Sequence, residues 1–448
     1  MNIEGKRISI IGAEKSGVGA AKLIKKLGGY PFVSDIGSKE KLSKYLEELK
    51  KFDIEFETGQ HSDRVYQCDL MIVSPGVPFN SEVLSIAMRK KIKMISEIEL
   101  ASLFCKGNII AITGTNGKTT TTSLCGHIMN ECGCKTYLAG NIGTAFSEIA
   151  LDVKENEFVS LEVSSFQLDL IDKFKPKVAI ILNITPDHLN RYENKFENYI
   201  NSKQIIYKNQ DASDFLILNK DDEVLTNALK PHLSANLFFS LSKNQNNGCF
   251  VENDEVLFYR NGKKEFACKI NEINLKGEHN IANAMAAICT AKIFSCDNKK
   301  IIQALSSFQG VEHRLEFVRD IDGVKYINDS KATNVDSVWY ALKSFDDPIF
   351  LILGGIDKGN DYNKIKDLVL SKVKKIYAIG VSADKIFNFF HSFVKVEIKS
   401  SLHEAVIAAN KEARKNEIVL LSPACASFDM FESYEHRGKV FKELVNSL

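Results

Sequence analysis

The sequence predicts an α/β protein of three domains, and three observations carry that expectation. Short β-branched runs that end in polar loops alternate with helical stretches along the whole chain. The alternation restarts twice, near residues 97 and 311. At 448 residues the chain is also too long for one hydrophobic core. The expected organisation is a Rossmann-like N-terminal domain over 1–96, a central P-loop ATPase-type domain over 97–310 with a small inserted β-sheet, and a C-terminal Rossmann-like α/β domain over 311–448.

In the first segment Arg7 to Ile11 reads as a buried strand, the stretch from Gly12 to about Leu27 as a loop and helix, and Phe32 to Asp35 as the next strand. This is the opening βαβ of a nucleotide-binding sheet. The dinucleotide fingerprint G-x-G-x-x-G fails at its middle position, where Glu14 stands. A carboxylate there repels a pyrophosphate and blocks close backbone approach, so a dehydrogenase is not expected. Asp35 is placed either to accept hydrogen bonds from a nucleoside or to close a turn. Leu70 to Val73 is a further strand, ending in Ser74-Pro75-Gly76.

The second segment carries the most informative run, Ile109-Ile-Ala-Ile-Thr-Gly-Thr-Asn-Gly-Lys-Thr-Thr120. An apolar strand ends in a loop bracketed by Gly114 and Gly117, and a helical pattern comes at once after it. Such a turn aims backbone N–H groups and the positive end of a helix dipole at one point, which is how a polyphosphate is cradled. Lys118 is placed for the outer phosphates and the Thr119 hydroxyl for Mg²⁺. The match to G-x-x-x-x-G-K-[ST] is incomplete, since Ile112 holds the place of the first glycine; ATP or GTP is still the expected ligand. Further strands are expected at Phe158 to Glu162 and Val178 to Asn183. Residues 215–275 turn β-rich, with an Asn261-Gly262 hairpin signal, and a helix runs through His279 to Phe294. In the third segment, strands are expected near Val324 to Ile327, Ile349 to Leu353, Lys375 to Ile379 and Ile418 to Leu421.

Composition narrows the function further. The formal net charge is +1, so no long-range field recruits nucleic acid or an anionic membrane. No run approaches the roughly 18 apolar residues of a membrane span, and no signal peptide is expected. The ten cysteines show no disulfide framework, and Cys132 with Cys134 lacks the second pair a metal site needs. A cytoplasmic, reduced protein is the expectation.

Beyond the loop, Glu162 ends an apolar strand 44 residues after Lys118. An acid in that place either holds Mg²⁺ or caps the next helix. His188 shares a strand-end loop with Asp187, where it serves the metal or the fold. Lys203, 15 residues on, reads by itself as a helix-surface lysine.

Taken together, Gly114-Thr115-Asn116-Gly117-Lys118-Thr119-Thr120, Gly140-Asn141-Ile142-Gly143, Leu161 to Leu168, Asn183 to Tyr192, and Lys203 resemble the Mur ligases. So do Gly277 to Ala284, Glu312 to Glu316, Asn328 to Asn334, Gly354 to Lys358 and Ser422 to Asp429, in order along essentially the whole chain. These are ATP-dependent amide ligases of peptidoglycan precursor synthesis, a family that also includes folylpolyglutamate synthetases. Asp329-Ser330-Lys331-Ala332-Thr333-Asn334 and Ser422-Pro423-Ala424-Cys425-Ala426-Ser427 resemble the D-glutamate-adding branch.

The resemblance implies ATP and Mg²⁺ as cofactors, UDP-N-acetylmuramoyl-L-alanine and D-glutamate as partners, no nucleic acid, no membrane insertion, and a monomer. It implies that Lys15, Ser16, Asp35, Ser74 and Asn141 hold the UDP-substrate. Gly114, Thr115, Asn116, Gly117, Lys118, Thr119, Thr120, Asn280, Arg314 and Asp329 would serve ATP. Thr119, Glu162, His188 and Lys203, the last as a carbamate, would hold metal. Lys118, Glu162, His188, Lys203 and Lys331 would be catalytic, and Thr333, Lys358, Ser427, Phe428 and Tyr434 would surround D-glutamate. One departure stands out: Glu14 stands where the family's N-terminal loop often has Gly, and Ile36 and Gly37 come after Asp35 where the family commonly has polar groups. Two alternatives are weighed, a folylpolyglutamate synthetase-like ligase and a P-loop regulatory module. The nucleotide-style first segment argues against the former, and the acid, His and Lys beyond the loop against the latter.

Overall fold

Three sheets organise the chain in the computed structural model, which describes residues 1–242, 247–275 and 277–448. The chain forms two compact units, Met1–Asn274 with Asn280–Phe308, and Leu275–His279 with Gln309–Leu448. The first unit contains two of the sheets.

The N-terminal sheet has five parallel strands: β1 (Arg7–Ile11), β2 (Tyr30–Asp35), β3 (Glu55–Thr58), β4 (Leu70–Val73) and β5 (Met94–Ser96), in the order β3-β2-β1-β4-β5. The strand order reverses beside β1, and a ligand crevice forms at such a reversal. The helix Lys15–Lys26 comes after β1 and buries Val18, Ala21, Leu23 and Ile24 against the sheet.

The central sheet contains β6 (Asn108–Thr113), β7 (Thr136–Gly140), β8 (Phe158–Glu162), β9 (Val178–Ile181), β10 (Phe215–Asn219), β11 (Ala235–Ser240), β12 (Gly248–Glu252), β13 (Glu255–Arg260) and β14 (Lys263–Lys269). Their order is β14-β13-β12-β11-β10-β9-β6-β8-β7. All five residues of β8 are buried, as expected of a parallel strand covered on both faces. One face packs Ala111, Leu161, Ile181 and Leu216 against Phe146, Phe174, Tyr199 and Tyr207.

The β-rich 215–275 stretch does not build a separate small sheet. Its β10 pairs in parallel with β9 from Phe215↔Val178 onward, β11 pairs with β10, and β12 pairs in parallel with β11. The hairpin β13–β14 then continues the same hydrogen-bonded ladder as an antiparallel edge. The reason is that β9 leaves an open edge, and backbone donors and acceptors there are satisfied by adding strands to it. The Asn261-Gly262 turn has φ of 51° and 76°, the left-handed pair a tight two-residue hairpin requires.

The third sheet lies in the second unit: β15 (Glu316–Ile321), β16 (Val324–Asn328), β17 (Ile349–Gly354), β18 (Val373–Ile379), β19 (Lys395–Ile398) and β20 (Ile418–Leu421), ordered β15-β16-β20-β17-β18-β19. Only β15 is antiparallel to its neighbour. No helix among the described residues is long and apolar enough to cross a membrane.

A buried carboxylate ties the start of the central segment to the 172–174 stretch of the same unit. Glu99 sits on the short helix Glu97–Ser102 and accepts the backbone N–H groups of Asp172 (3.1 Å), Lys173 (2.9 Å) and Phe174 (2.8 Å). Removing this acceptor strands three amides at a site that is 1% exposed. Glu99→Ala is expected to cost about 2–4 kcal/mol of unfolding free energy, and Glu99→Gln less, since one acceptor oxygen remains. Urea denaturation monitored by circular dichroism measures this. A Glu99→Ala loss under about 0.5 kcal/mol, the level of an ordinary surface change, contradicts it.

Candidate active site

The phosphate loop is shaped by a residue to which the sequence reading gave no role of its own. Asn183, two residues beyond β9, accepts the amides of Thr115 (3.1 Å) and Asn116 (2.8 Å) through Oδ1 and donates Nδ2 to the Asn116 carbonyl at 3.0 Å. The Thr115 hydroxyl donates to the Thr185 carbonyl at 3.1 Å, accepts the Thr185 amide at 3.0 Å, and lies 3.3 Å from the Tyr199 hydroxyl. The loop is thus pinned to the end of β9, and the Thr115 and Asn116 amides are used by the fold. Gly117 then takes φ of 84° as N-cap of the helix Lys118–Glu131. A Cβ there would stand 2.5 Å from Asn283 Oδ1, so only glycine fits. The first-turn amides of Lys118, Thr119 and Thr120 have no preceding turn to bond and remain the loop's donors for an anion.

Two lysines converge on one carbonyl. Lys118 Nζ donates to the carbonyls of Gly114 (2.9 Å) and Thr115 (2.7 Å), and Lys203 Nζ donates to the same Gly114 oxygen at 2.8 Å. Lys203, on the helix Phe196–Gln204, is 1% exposed, not the surface lysine its local sequence suggests. Burial, with the adjacent Lys118 charge second, pushes the Lys203 ammonium well below its ordinary value.

Glu162, 1% exposed, accepts Asn141 Nδ2 on Oε1 at 2.9 Å, while its Oε2 is buried with no hydrogen-bond partner. An orphaned buried carboxylate oxygen is costly unless a cation or donor meets it. Glu162 does not cap the next helix, whose capping box is formed by Ser164 and Gln167. His188 stands at φ of 51°, with Nε2 3.7 Å from Asp187 Oδ2 and its ring edge-on to Phe166 at 5.2 Å. Arg191, also unforeseen, stacks 3.9 Å over Phe166 and donates to the carbonyls of Pro75 (2.9 Å) and Val77 (2.6 Å). A cavity of about 320 Å³ gathers Lys118, Asn141, His188, Arg191 and Lys203 with Pro75 and Gly76.

A second cavity, of about 750 Å³, lies over the N-terminal sheet and includes four of the five residues expected to hold the UDP-substrate, Lys15, Ser16, Asp35 and Ser74; the fifth, Asn141, lines the smaller cavity. Asp35 closes its loop as well as lining the cavity. Its Oδ2 accepts the Ala13 amide and its Oδ1 the Gly37 amide, each at 2.7 Å.

In the second unit, Asp329, Ser330 and Lys331 form a turn after β16. Arg437, 1% exposed, fixes it by donating Nε to Ser330 Oγ (2.9 Å) and its guanidinium to the carbonyls of Ser330 (2.8 Å) and Cys425 (3.1 Å). Nothing in the local pattern of a charged, helical stretch singled out Arg437. Lys331 Nζ donates to the Tyr434 hydroxyl at 3.0 Å. Arg314 lies 3.7 Å from Asp329. Thr333 is half-buried, Ser427 is buried, and Lys358 and Phe428 are exposed. Asn280, in the first unit, accepts Asn283 Nδ2 at 3.2 Å. Among the described residues, one cluster of three candidate metal-binding side chains stands apart, Glu312, His313 and Glu316. Its two glutamates are already bonded by Lys442 at 2.8 and 2.6 Å.

Burial pushes the Asp329 carboxyl up to about 6, against the pull of Arg314 and the Ser422 hydroxyl bond. Between about pH 4 and 6 the folded state therefore holds a proton that the unfolded state has released, and stability falls as pH rises through that window. The loss is roughly 3 kcal/mol for a shift of about two units. Asp329→Asn should remove that slope. The single tryptophan, Trp339, lies in this unit, so its fluorescence in urea titrations at pH 4 and 6 provides the measurement. Equal slopes in both proteins would contradict the assignment.

Comparisons with known proteins bear on this geometry. Three family models match: MurD N-terminal domain at residues 7–83, Mur ligase middle domain at 112–291, and Mur ligase, glutamate ligase domain at 313–425. The chain is 45% identical over 463 residues to the UDP-N-acetylmuramoylalanine--D-glutamate ligase of Chloroherpeton thalassium, covering 100% of this chain and 99% of that one. It is 45% identical over 448 residues to the same-named protein of Christiangramia forsetii, covering 99% and 100%. Among solved structures, the UDP-N-acetylmuramate-alanine ligase MurC from Thermotoga maritima shares the fold, with a TM-score of 0.64, 20% identity and 99% coverage of both chains.

Proposed function

Because the chain belongs to the Mur ligase family, we propose that it joins D-glutamate to UDP-N-acetylmuramoyl-L-alanine at the expense of ATP, in peptidoglycan precursor synthesis. The observation that carries this reading is the convergence of Lys118 and buried Lys203 with His188 on one cavity beside the phosphate loop. Full-length relatives named for D-glutamate ligation support the amino acid, and the folylpolyglutamate alternative is not retained. The proposed compartment is the cytoplasm, where ATP is available.

The chemistry is dictated by charge. A free carboxylate is a poor electrophile, so the L-alanine carboxylate must first take the γ-phosphoryl group as an acyl phosphate. Two anions meet in that step, and their repulsion has to be neutralised. Lys118 and the first-turn amides supply fixed positive groups for the phosphates. The D-glutamate amine then attacks the acyl carbon, and phosphate leaves from the tetrahedral intermediate. His188 would stabilise the developing charge in the central cavity, and Lys331, oriented by Tyr434, is the corresponding cation of the second unit.

Mg²⁺ fits the residues present. The orphaned Glu162 Oε2 is a hard oxygen with no hydrogen-bond partner, and Thr119 offers a hydroxyl in the first turn of the loop helix. An ammonium at Lys203 would repel the metal, but a neutral amine adds to CO₂ and releases a proton, giving a carbamate that would join Glu162, Thr119 and His188. When bound, the metal supplies charge neutralisation at the phosphates. In the second unit, Thr333, Ser427, Phe428 and Tyr434 would surround D-glutamate, with Lys358 pairing a carboxylate. Asn280, Arg314 and Asp329 would serve ATP. The proposed domain limits remain 1–96, 97–310 and 311–448.

The direct test is ligation of UDP-N-acetylmuramoyl-L-alanine against a panel of amino acids, read as phosphate release and product mass. D-Glutamate alone should support turnover; equal turnover with L-glutamate, or none with D-glutamate, would sink the reading. Lys203→Ala should fold yet be inactive, with part of the activity returning in formate as a small carboxylate occupies the vacated space. Near-normal turnover without formate would rule out the carbamate. Lys358→Ala loses one charge-assisted contact of about 1.5–3 kcal/mol, so the KM for D-glutamate should rise roughly 10- to 150-fold while that for ATP changes little. An equal rise for both substrates removes Lys358 from the pocket.

A further inference from the structure

The cavity over the N-terminal sheet contains a side chain to which the ligase reaction assigns no role, His61. It lines the cavity with Asp35, Ile36 and Gln60, on the loop after β3. In an open parallel sheet a nucleotide lies across the carboxyl ends of the strands. Its phosphates sit at the first helix N-terminus, and its sugar lies near the acid that ends the second strand. The base then extends toward the outer strand. In this chain that path runs from Lys15 and Ser16 past Asp35 to the β3 loop.

Proton accounting fixes what His61 offers there. Ser34 Oγ lies 2.7 Å from Glu57 Oε1 and 2.7 Å from His61 Nδ1. The Ser62 amide donates to the same Glu57 oxygen at 2.9 Å. Burial works to raise the Glu57 carboxyl, but the bonds from Ser62 and Ser34 outweigh it and hold it below the ordinary range. Glu57 is thus an anion that only accepts, and the single Ser34 hydroxyl proton must point at it. Were that proton turned to His61 instead, two lone pairs would face each other across a hydrogen-bond distance. Ser34 Oγ therefore accepts from His61 Nδ1–H. Burial also pushes the imidazole below its ordinary value, against Glu57 and Asp35, so it carries one proton only. Nε2 is left as a bare acceptor with no partner among the described residues.

We propose that His61 selects the base of the nucleotide: its Nε2 accepts the N3–H of uracil, while Ile36, an apolar side chain 71% exposed at the same cavity, packs against the ring. The inference rests on the uridine diphosphate reading of this cavity. Uracil presents a donor at N3, whereas cytosine presents an acceptor that would oppose the Nε2 lone pair. A site built around one such complementary contact rejects the mismatched base because its own buried group is left unpaired. The role that Ile36 and Gly37 leave vacant beside Asp35 thus passes to the neighbouring loop.

Calorimetric titration of the full-length protein with UDP and CDP tests this. The wild type should bind UDP about tenfold tighter than CDP. His61→Phe retains ring packing and loses the acceptor, so UDP affinity should fall to about that for CDP. A preference for UDP that persists in His61→Phe overturns the role of His61 alone. A wild type that binds neither nucleotide overturns the uridine reading, and this proposal with it. A measurement without substitution stands beside these. In ¹⁵N-histidine-labelled wild type, His61 Nε2 should resonate as an unprotonated nitrogen and shift on UDP addition. A protonated Nε2 in the UDP-bound protein would overturn the assignment.

Discussion

Two lysine side chains share the Gly114 carbonyl, and the central part of the first unit is arranged around that constraint. Like charges so close, one of them at a buried site, disfavour each other. Lys118 sits half-buried at the start of its helix; Lys203 lies deeper, where burial disfavours its charged form. The loop that presents the carbonyl has little freedom, because Asn183 grips it from both sides and Gly117 turns it into the helix. A loop so held offers a phosphate a preformed cradle instead of one that must be ordered on binding. It also holds beside that cradle a lysine whose charged form burial disfavours.

The second unit solves a related problem differently. Its Asp329-Ser330-Lys331 turn is held from beneath by Arg437, a buried guanidinium satisfied by hydroxyl and carbonyl oxygens instead of a direct carboxylate partner. Buried charge is expensive unless its donors are met. The three bonds engage three of its five N–H donors, and the resulting rigidity fixes the point from which Lys331 reaches the Tyr434 hydroxyl.

Legibility in the sequence depended on the range of the interactions. The phosphate loop, the strand-end acid Glu162 and the Asp187-His188 pair were readable because each obeys a local rule for the residues at the carboxyl end of a parallel strand. The interior strands β1, β4, β8 and β20 were readable because they are almost wholly buried and therefore mostly apolar. The short strands β3 and β19 lack such a signature, since most of their residues are only half-buried or exposed. Lys203 could not be recognised as buried from its own helix, because its environment comes from Gly114, 89 residues earlier. Asn183, Arg437 and Glu99 act through backbone groups far away in sequence, and their residue types are common in loops and helices. The continuation of the central sheet through β10 to β14 is likewise a matter of which edge is open, which a strand's own residues do not state.

The far edge of that sheet has a consequence for how the protein behaves in a crowded solution. A nine-stranded ladder must end in unpaired backbone groups, and such a border invites strands from other molecules to join it. Here the last strand begins Lys263-Lys264-Glu265, with its first four residues exposed. Lys264 pairs with Glu252 at 3.1 Å, and Glu265 with Lys292 at 2.6 Å. An incoming strand would have to strip water from this charged fringe before gaining any hydrogen bond. The border therefore discourages intermolecular stacking, and the large sheet can lengthen without becoming a seed for aggregation.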